Sequence, residues 1–287
     1  MAENTMFFRQ GWSDIDQLLQ TMDACGIGKS VLLYPSSDAH LKMGGWSKVC
    51  EVYNEEIGKK VKAHPDRLIG GGIVPVDEST DAMLKEIERI KDLGLSCLTL
   101  ASSYDGKFLS DEKFLPVLAK AEKVNLPIFV HAQIINPIGF DRVKDPLLMP
   151  VVEFLVDVTM CAGSLMMEGI FTKHSKLKFV FAHFAGVMPF VFDRLDATYS
   201  MLRGRDFVKD LGSLPSEIMK NIYVDTSGVK SPTMIQMALE TFGPSQVLWG
   251  SDYPAKRDLT QSIDVIKQLD ADIQKDILSA NSDKLFG

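Results

Sequence analysis

Long apolar runs, basic tracts and paired cysteines are all missing from this 287-residue chain. Its 31 Lys and Arg residues are outnumbered by 38 Asp and Glu, a net charge of −7 with no basic cluster to offset it. That balance argues against nucleic acid and anionic membrane surfaces as partners. The most apolar window, Phe179–Phe192, is only 14 residues long and contains a histidine, against roughly 20 residues for a membrane span. The first ten residues carry no signal-peptide pattern, so the expected location is the cytoplasm. Cys25, Cys50, Cys97 and Cys161 lie at least 25 positions apart and form no C-x-x-C pair. They read as small buried hydrophobes in a reducing compartment, not as a disulfide or zinc framework. No Pro/Gly/Ser-rich linker, repeat or composition break divides the chain, and residues 1–287 read as one domain.

What is present is an alternation. Short β-rich runs end in turn residues and are followed by segments of helical period, repeatedly. Strands are expected at Ser30–Tyr34, Leu68–Pro75, Cys97–Leu100, Pro127–Val130, Lys178–Ala182, Ile222–Val224 and Val247–Gly250. Helices are expected at Ile15–Cys25, Trp46–Ala63, Ser79–Leu93, Glu112–Lys123 and Leu148–Thr172, then after Pro189 and over Pro232–Thr241 and Leu259–Leu269, with a short closing helix from Ile273. Strands alternating with helices imply parallel pairing through right-handed crossovers. The expected fold is an α/β (β/α)₈ TIM barrel whose first strand is missing or altered, or disguised near Met6–Arg9, because only seven strands are legible. A doubly wound sheet tolerates seven strands, but the glycine-rich phosphate loop it often carries is absent. Gly70-Gly71-Gly72 lies within a strand and signals a bulge or close packing.

Three strands run straight from apolar residues into a potential ligand or proton carrier: Phe129-Val130-His131, Phe181-Ala182-His183 and Trp249-Gly250-Ser251-Asp252. In a parallel barrel all strand C-termini open on one face, so these distant residues converge there. Two imidazoles and a carboxylate suit a divalent transition metal and general acid–base chemistry. Asp225 ends another strand and could orient His183, contact substrate or serve a turn. Arg142, Arg194 and Arg205 are candidate clamps for a substrate carboxylate, since guanidinium meets carboxylate bidentately, and Arg194 reads equally as a helix salt-bridge partner. His40, His64 and His174 read as solvated or capping residues, and Trp46 and Leu165-Met166-Met167 as core or interface. The loop Ala132–Pro146 is long enough to act as a lid.

Taken in order, Leu126-Pro-Ile-Phe-Val-His131, Lys176-Leu-Lys-Phe-Val-Phe-Ala-His183-Phe-Ala-Gly186-Val-Met-Pro189 and Gly250-Ser-Asp252-Tyr-Pro254 resemble the amidohydrolase-related family. The nearest branch holds aminocarboxymuconate-semialdehyde decarboxylase, resorcylate-type decarboxylases and some lactone hydrolases. Pro65-Asp66-Arg67-Leu68, Tyr223-Val224-Asp225-Thr226 and Asn281-Ser-Asp-Lys-Leu-Phe286 extend the resemblance over roughly residues 13–287. It implies a divalent metal, zinc first and manganese second, with His131 and Asp252 as ligands. His183 would be the acid–base residue, with Asp252 also catalytic. The family also carries a His-x-His pair at the end of its first strand, and this chain contains none. A start downstream of the true one would account for both absences, and so would a metal-poor relative with changed activity.

The expectation is therefore an enzyme that decarboxylates a small aromatic or unsaturated carboxylate. Metal-dependent hydrolysis of a lactone or related ester uses the same ligands and stays open, as does a non-catalytic barrel homologue. A small-molecule carboxylate or lactone is the expected partner. The sequence does not set the oligomeric state, for which a two-fold homodimer, the commonest soluble assembly, is one candidate.

Overall fold

The computed structural model describes residues 13–34, 45–139, 141–142, 145, 147–256 and 258–286. The stretch Met6–Arg9, expected to hide a strand, lies outside the described residues, as does His40.

Seven strands form one parallel sheet: β1 (Ser30–Leu32), β2 (Leu68–Gly72), β3 (Cys97–Ala101), β4 (Ile128–His131), β5 (Phe179–Phe181), β6 (Ile222–Asp225) and β7 (Val247–Leu248). They pair strictly in chain order, from Ser30↔Leu68 at one end to Asp225↔Leu248 at the other. This is the TIM-barrel-like arrangement expected from the alternation, with seven strands in place. Among the described residues, the outer edges of β1 and β7 carry no further strand.

Helices connect the strands. They include α1 (Ile15–Cys25), α2 (Trp46–Ala63), α3 (Thr80–Asp92), α4 (Leu115–Lys123), α5 (Phe154–Met167), α6 (Met188–Leu202), α7 (Pro232–Phe242) and α8 (Thr260–Ile266). Local chemistry sets their limits. Asp14 caps α1 by accepting the Gln17 amide, and Gly26 closes it in the left-handed region at φ 70°. Ser79 caps α3 by accepting from the Ala82 amide, and α3 buries Met83, Ile87 and Ile90 at helical spacing.

The single long helix expected over Leu148–Thr172 is instead broken. A π-helical turn at Met149–Glu153 leads into α5, and Gly169 (φ 69°) separates α5 from a short turn at Ile170–Lys173. The span Met149–Met167 is, by length and composition, apolar enough to cross a membrane, but half of it is buried in the core.

Most of the apolar core lies between sheet and helices, and Trp46, Leu165 and Met166 are buried in it. A second, smaller cluster of Cys97, Phe129, Val180, Leu248 and Leu285 fills the concave side, with Val31, Tyr223 and Phe286 against it. Gly70, Gly71 and Gly72 are there for close packing. A Cβ would stand 2.5 Å from Leu95 Cδ2 at Gly70, 2.8 Å from Thr99 Oγ1 at Gly71 and 2.6 Å from Ile90 Cγ1 at Gly72. The four cysteines are free, and burial pushes the thiols of Cys50, Cys97 and Cys161 upward, which keeps them protonated and inert. Of the two readings of His174, solvated or capping, the structure bears out capping: it is 6% exposed and its Nδ1 lies 2.9 Å from Glu122 Oε2. It caps the turn Ile170–Lys173, much as His64 caps α2.

Candidate active site

Parallel pairing brings the C-terminal ends of β4, β5, β6 and β7 to one rim, and each delivers a polar residue there. His131 is the last residue of β4, paired beside Ala101 of β3, and its carbonyl accepts the Ser102 amide at 2.7 Å. Its Nδ1 sits 3.0 Å from the Ala132 carbonyl. A carbonyl only accepts, so Nδ1 carries the proton and Nε2 keeps its lone pair, the tautomer of a metal-ligating histidine. Burial drives the His131 pKa down to about 4, helped by nearby His183 and opposed by the Ala132 carbonyl and Asp225. The ring is therefore neutral at pH 7.

His183 follows β5 by two residues. Its ring meets His131 edge-on, with centroids 5.7 Å apart. The Asp225 carboxylate at the end of β6 accepts the His183 backbone amide at 3.0 Å and the Ser227 amide at 3.0 Å. Asp225 thus fixes the backbone of His183, while the ring is held by the Ser227 carbonyl, 2.9 Å from Nδ1. That bond places the proton on Nδ1 and leaves Nε2 to exchange a proton with a bound molecule.

Asp252, beyond β7, has a positive φ of 56°. Its pKa is raised, first by burial; Asp225 adds to the rise, while His183 and Lys256 oppose it. Gly228 lies between the two groups, since a Cβ there would be 4.0 Å from both Asp252 Oδ2 and His183 Nδ1. Gly250 lets β7 approach β6, because a Cβ would come 2.4 Å from Ser227 Oγ and 3.0 Å from Asp225 Cγ.

The four strand-end residues are brought together as expected. Arg142, Arg194 and Arg205 are not: all three side chains are exposed, Arg194 on outer helix α6, and the structure gives none of them a place among the converged groups. The first half of the expected lid is pinned down. Ser102, Ser103 and Gln133 are buried with Asp157 of α5; both serines donate to its carboxylate, Gln133 donates to Ser103 Oγ at 2.6 Å, and the Ile138 amide reaches Asp157 at 3.2 Å. A cavity of about 170 Å³ lined by Ser103, Gln133 and Asp157 together with Phe108, Pro137 and Ile138 opens beside this network. Asp157 and Ser227 were missed because neither interrupts an apolar pattern where a site was sought.

A divalent ion needs more than the described donors provide. His131 Nε2 and the Asp252 carboxylate are of the right chemistry, but no group of three His, Cys, Asp or Glu side chains among the described residues comes close enough to hold a metal. Catalytic zinc sites ordinarily use three protein ligands. The described set is incomplete for such an ion.

This chain resembles known proteins over most of its length. Over 98% of this chain and 79% of its own length, the 2-amino-3-carboxymuconate-6-semialdehyde decarboxylase of Dictyostelium discoideum is 26% identical. A γ-resorcylate decarboxylase from Rhizobium is 25% identical over 83% of this chain and 76% of its own. The crystal structure of 5-carboxyvanillate decarboxylase from Novosphingobium aromaticivorans, complexed with manganese and 4-hydroxy-3-methoxy-5-nitrobenzoic acid, superposes with a TM-score of 0.82 at 23% identity. The match covers 94% of this chain and 79% of that one. The family model for amidohydrolases matches residues 38–287, a span that contains every strand-end residue above. On that match the chain belongs to the amidohydrolase family.

Proposed function

We propose that this chain is a carboxy-lyase that removes CO₂ from a small aromatic carboxylate. The observation that carries the reading is the convergence of His131, His183, Asp225 and Asp252 on one rim, in a chain whose curated relatives are decarboxylases. A divalent ion belongs to this reading, since a structural relative holds manganese. His131 and Asp252 would be two of its donors, fewer than such a site ordinarily uses, and it would supply a fixed positive charge for the substrate's oxygens.

The proton chemistry falls to the protein's own side chains. Loss of CO₂ from an aromatic ring requires a proton on the carbon that bears the carboxylate. The C–C bond then breaks, its electrons return to the ring and CO₂ departs. His183 Nε2 is the group able to deliver that proton, because Nδ1 is committed to the Ser227 carbonyl. The ring regains the proton from solvent after product leaves.

The experiment is to incubate the full chain with 2,6-dihydroxybenzoate, with and without added Mn²⁺, and to measure CO₂ and resorcinol, with a six-membered aryl lactone assayed in parallel. Stoichiometric CO₂ and resorcinol support the proposal. Lactone opening without CO₂ from the benzoate would replace it with a hydrolase reading.

A further inference from the structure

After β5 the backbone makes a turn that L-residues rarely adopt. His183, Phe184, Ala185 and Gly186 have φ of 55°, 58°, 57° and 71° in succession, three of them non-glycine. Left-handed residues cost on the order of 1–2 kcal/mol each and ordinarily occur singly. Such a turn persists only where its surroundings over-determine it.

The turn closes on itself through the Ala185 amide to the Ala182 carbonyl at 3.1 Å and the Gly186 amide to the His183 carbonyl at 2.9 Å, and two sets of bonds from outside hold it in place. At its entry, Asp225 holds the His183 amide and Ser227 holds the ring. At its exit stands Thr159, on the face of α5 that meets the turn. Thr159 Oγ1 accepts the Val187 amide at 2.8 Å, and its one proton is shared between the carbonyls of Leu155 at 2.7 Å and Ala185 at 3.1 Å. The contact is tight. A Cβ on Gly186 would lie 2.0 Å from the Leu155 oxygen and 2.4 Å from Thr159 Oγ1.

We propose that Thr159 is a positioning residue that fixes the direction of His183 by clamping the exit of this left-handed turn. The proposal rests on the reading of His183 as the proton donor. A threonine within a helix satisfies its hydroxyl on the carbonyl four residues back, here Leu155, and needs nothing further. The bonds to Ala185 and Val187 are extra, and both go to the turn that carries His183. Valine in place of Thr159 keeps the shape but leaves the Val187 amide without its acceptor. The exit of the turn is then free to relax, and its first residue, His183, shifts with it. Misplacement of a reacting group by about 1 Å costs up to ~10²-fold in rate while leaving binding nearly intact.

The test compares wild type, T159V and T159S by amide exchange at Val187 and by steady-state turnover of 2,6-dihydroxybenzoate. In T159V the Val187 amide is expected to exchange at least ~10-fold faster, with kcat down roughly 10- to 100-fold and KM within about twofold. T159S, which keeps the hydroxyl, restores both readouts to within about threefold of wild type. Wild-type exchange and kcat in T159V overturn the proposal; so do equal damage in T159S and T159V, and a change confined to KM. Should T159V not fold, T159A takes its place against T159S with the same outcomes. If wild type turns over no carboxylate, the proposed function fails, and the exchange comparison alone decides whether the hydroxyl clamps the turn.

Discussion

His183 can be replaced without disturbing its backbone by choosing a residue that tolerates the left-handed region. Asparagine does so more readily than other non-glycine residues. H183N should keep the turn and the Asp225 bond while losing the proton carrier. Turnover is expected to fall by roughly 10²- to 10⁴-fold, the usual worth of a positioned general acid, with circular dichroism and thermal midpoint close to wild type. Retained turnover would remove His183 from the chemistry.

Glu122 illustrates a residue whose role is stability. Its carboxylate accepts from His174 Nδ1 and from the Lys176 amide at 3.0 Å, and these contacts, His174 first, lower its pKa. A carboxyl with a lowered folded-state pKa binds protons more weakly folded than unfolded. Its contribution is therefore complete above the unfolded value of about 4.3 and is lost as pH falls through the lower folded value. E122Q should cost about 1–2 kcal/mol at pH 7 and have less effect near pH 3, as measured by urea unfolding at both. Sequence could not show this pair. Lys173-His174-Ser175 looks like surface, and the partner lies 52 residues away. The strand-end groups were legible for the opposite reason: each follows an apolar run directly, so the pattern itself placed it at the rim.

Among elements, β2 depends most visibly on what it lacks. Gly72 faces α3, where three Ile90 side-chain atoms lie 2.6–2.9 Å from the position a Cβ would take. G72A overpacks this contact and should cost roughly 1–3 kcal/mol. Ile90→Val trims the opposing side chain, so the double variant should recover part of the loss. A coupling energy near zero in that double-mutant cycle would refute the contact. The glycine run could be read from sequence as close packing because a strand interior has little other use for it. The hairpin Ser103–Tyr104 with Lys107–Phe108 was overlooked, although Asp105-Gly106 signals it. Both of those residues have positive φ, 50° and 78°, as a tight two-residue turn requires. The left-handed turn at His183 had no such signal, because three of its four residues are not glycine and the bonds that hold it come from α5 and β6.

At the scale of the whole molecule, the two outer strands of the sheet leave a seam among the described residues. The edges of β1 and β7 are unpaired among the described residues, and Val31 and Ile69 on the concave side are only half-buried, with Leu33 36% exposed. The alternation in sequence makes seven of the eight expected strands legible, but pairing at an edge is a long-range property that no local pattern reports. What secures this side is the helix at Asn281–Phe286. Its fully buried Asn281 donates to the carbonyls of Pro244 at 2.7 Å and Val247 at 2.9 Å, tying the helix to the start of β7. Farther along, Leu285 joins Phe129, Val180 and Leu248 on the concave side, and Phe286 stacks on Phe129 at 6.0 Å. The two anchors should differ in consequence. N281A leaves the buried Val247 carbonyl and the part-buried Pro244 carbonyl without this donor and should cost roughly 2–3 kcal/mol. F286A removes a half-exposed ring and should cost less, about 1–2 kcal/mol. Urea unfolding of both variants checks the order. If F286A proves the more damaging, the seam is held by apolar contact with the concave face, and the tether at Asn281 is secondary.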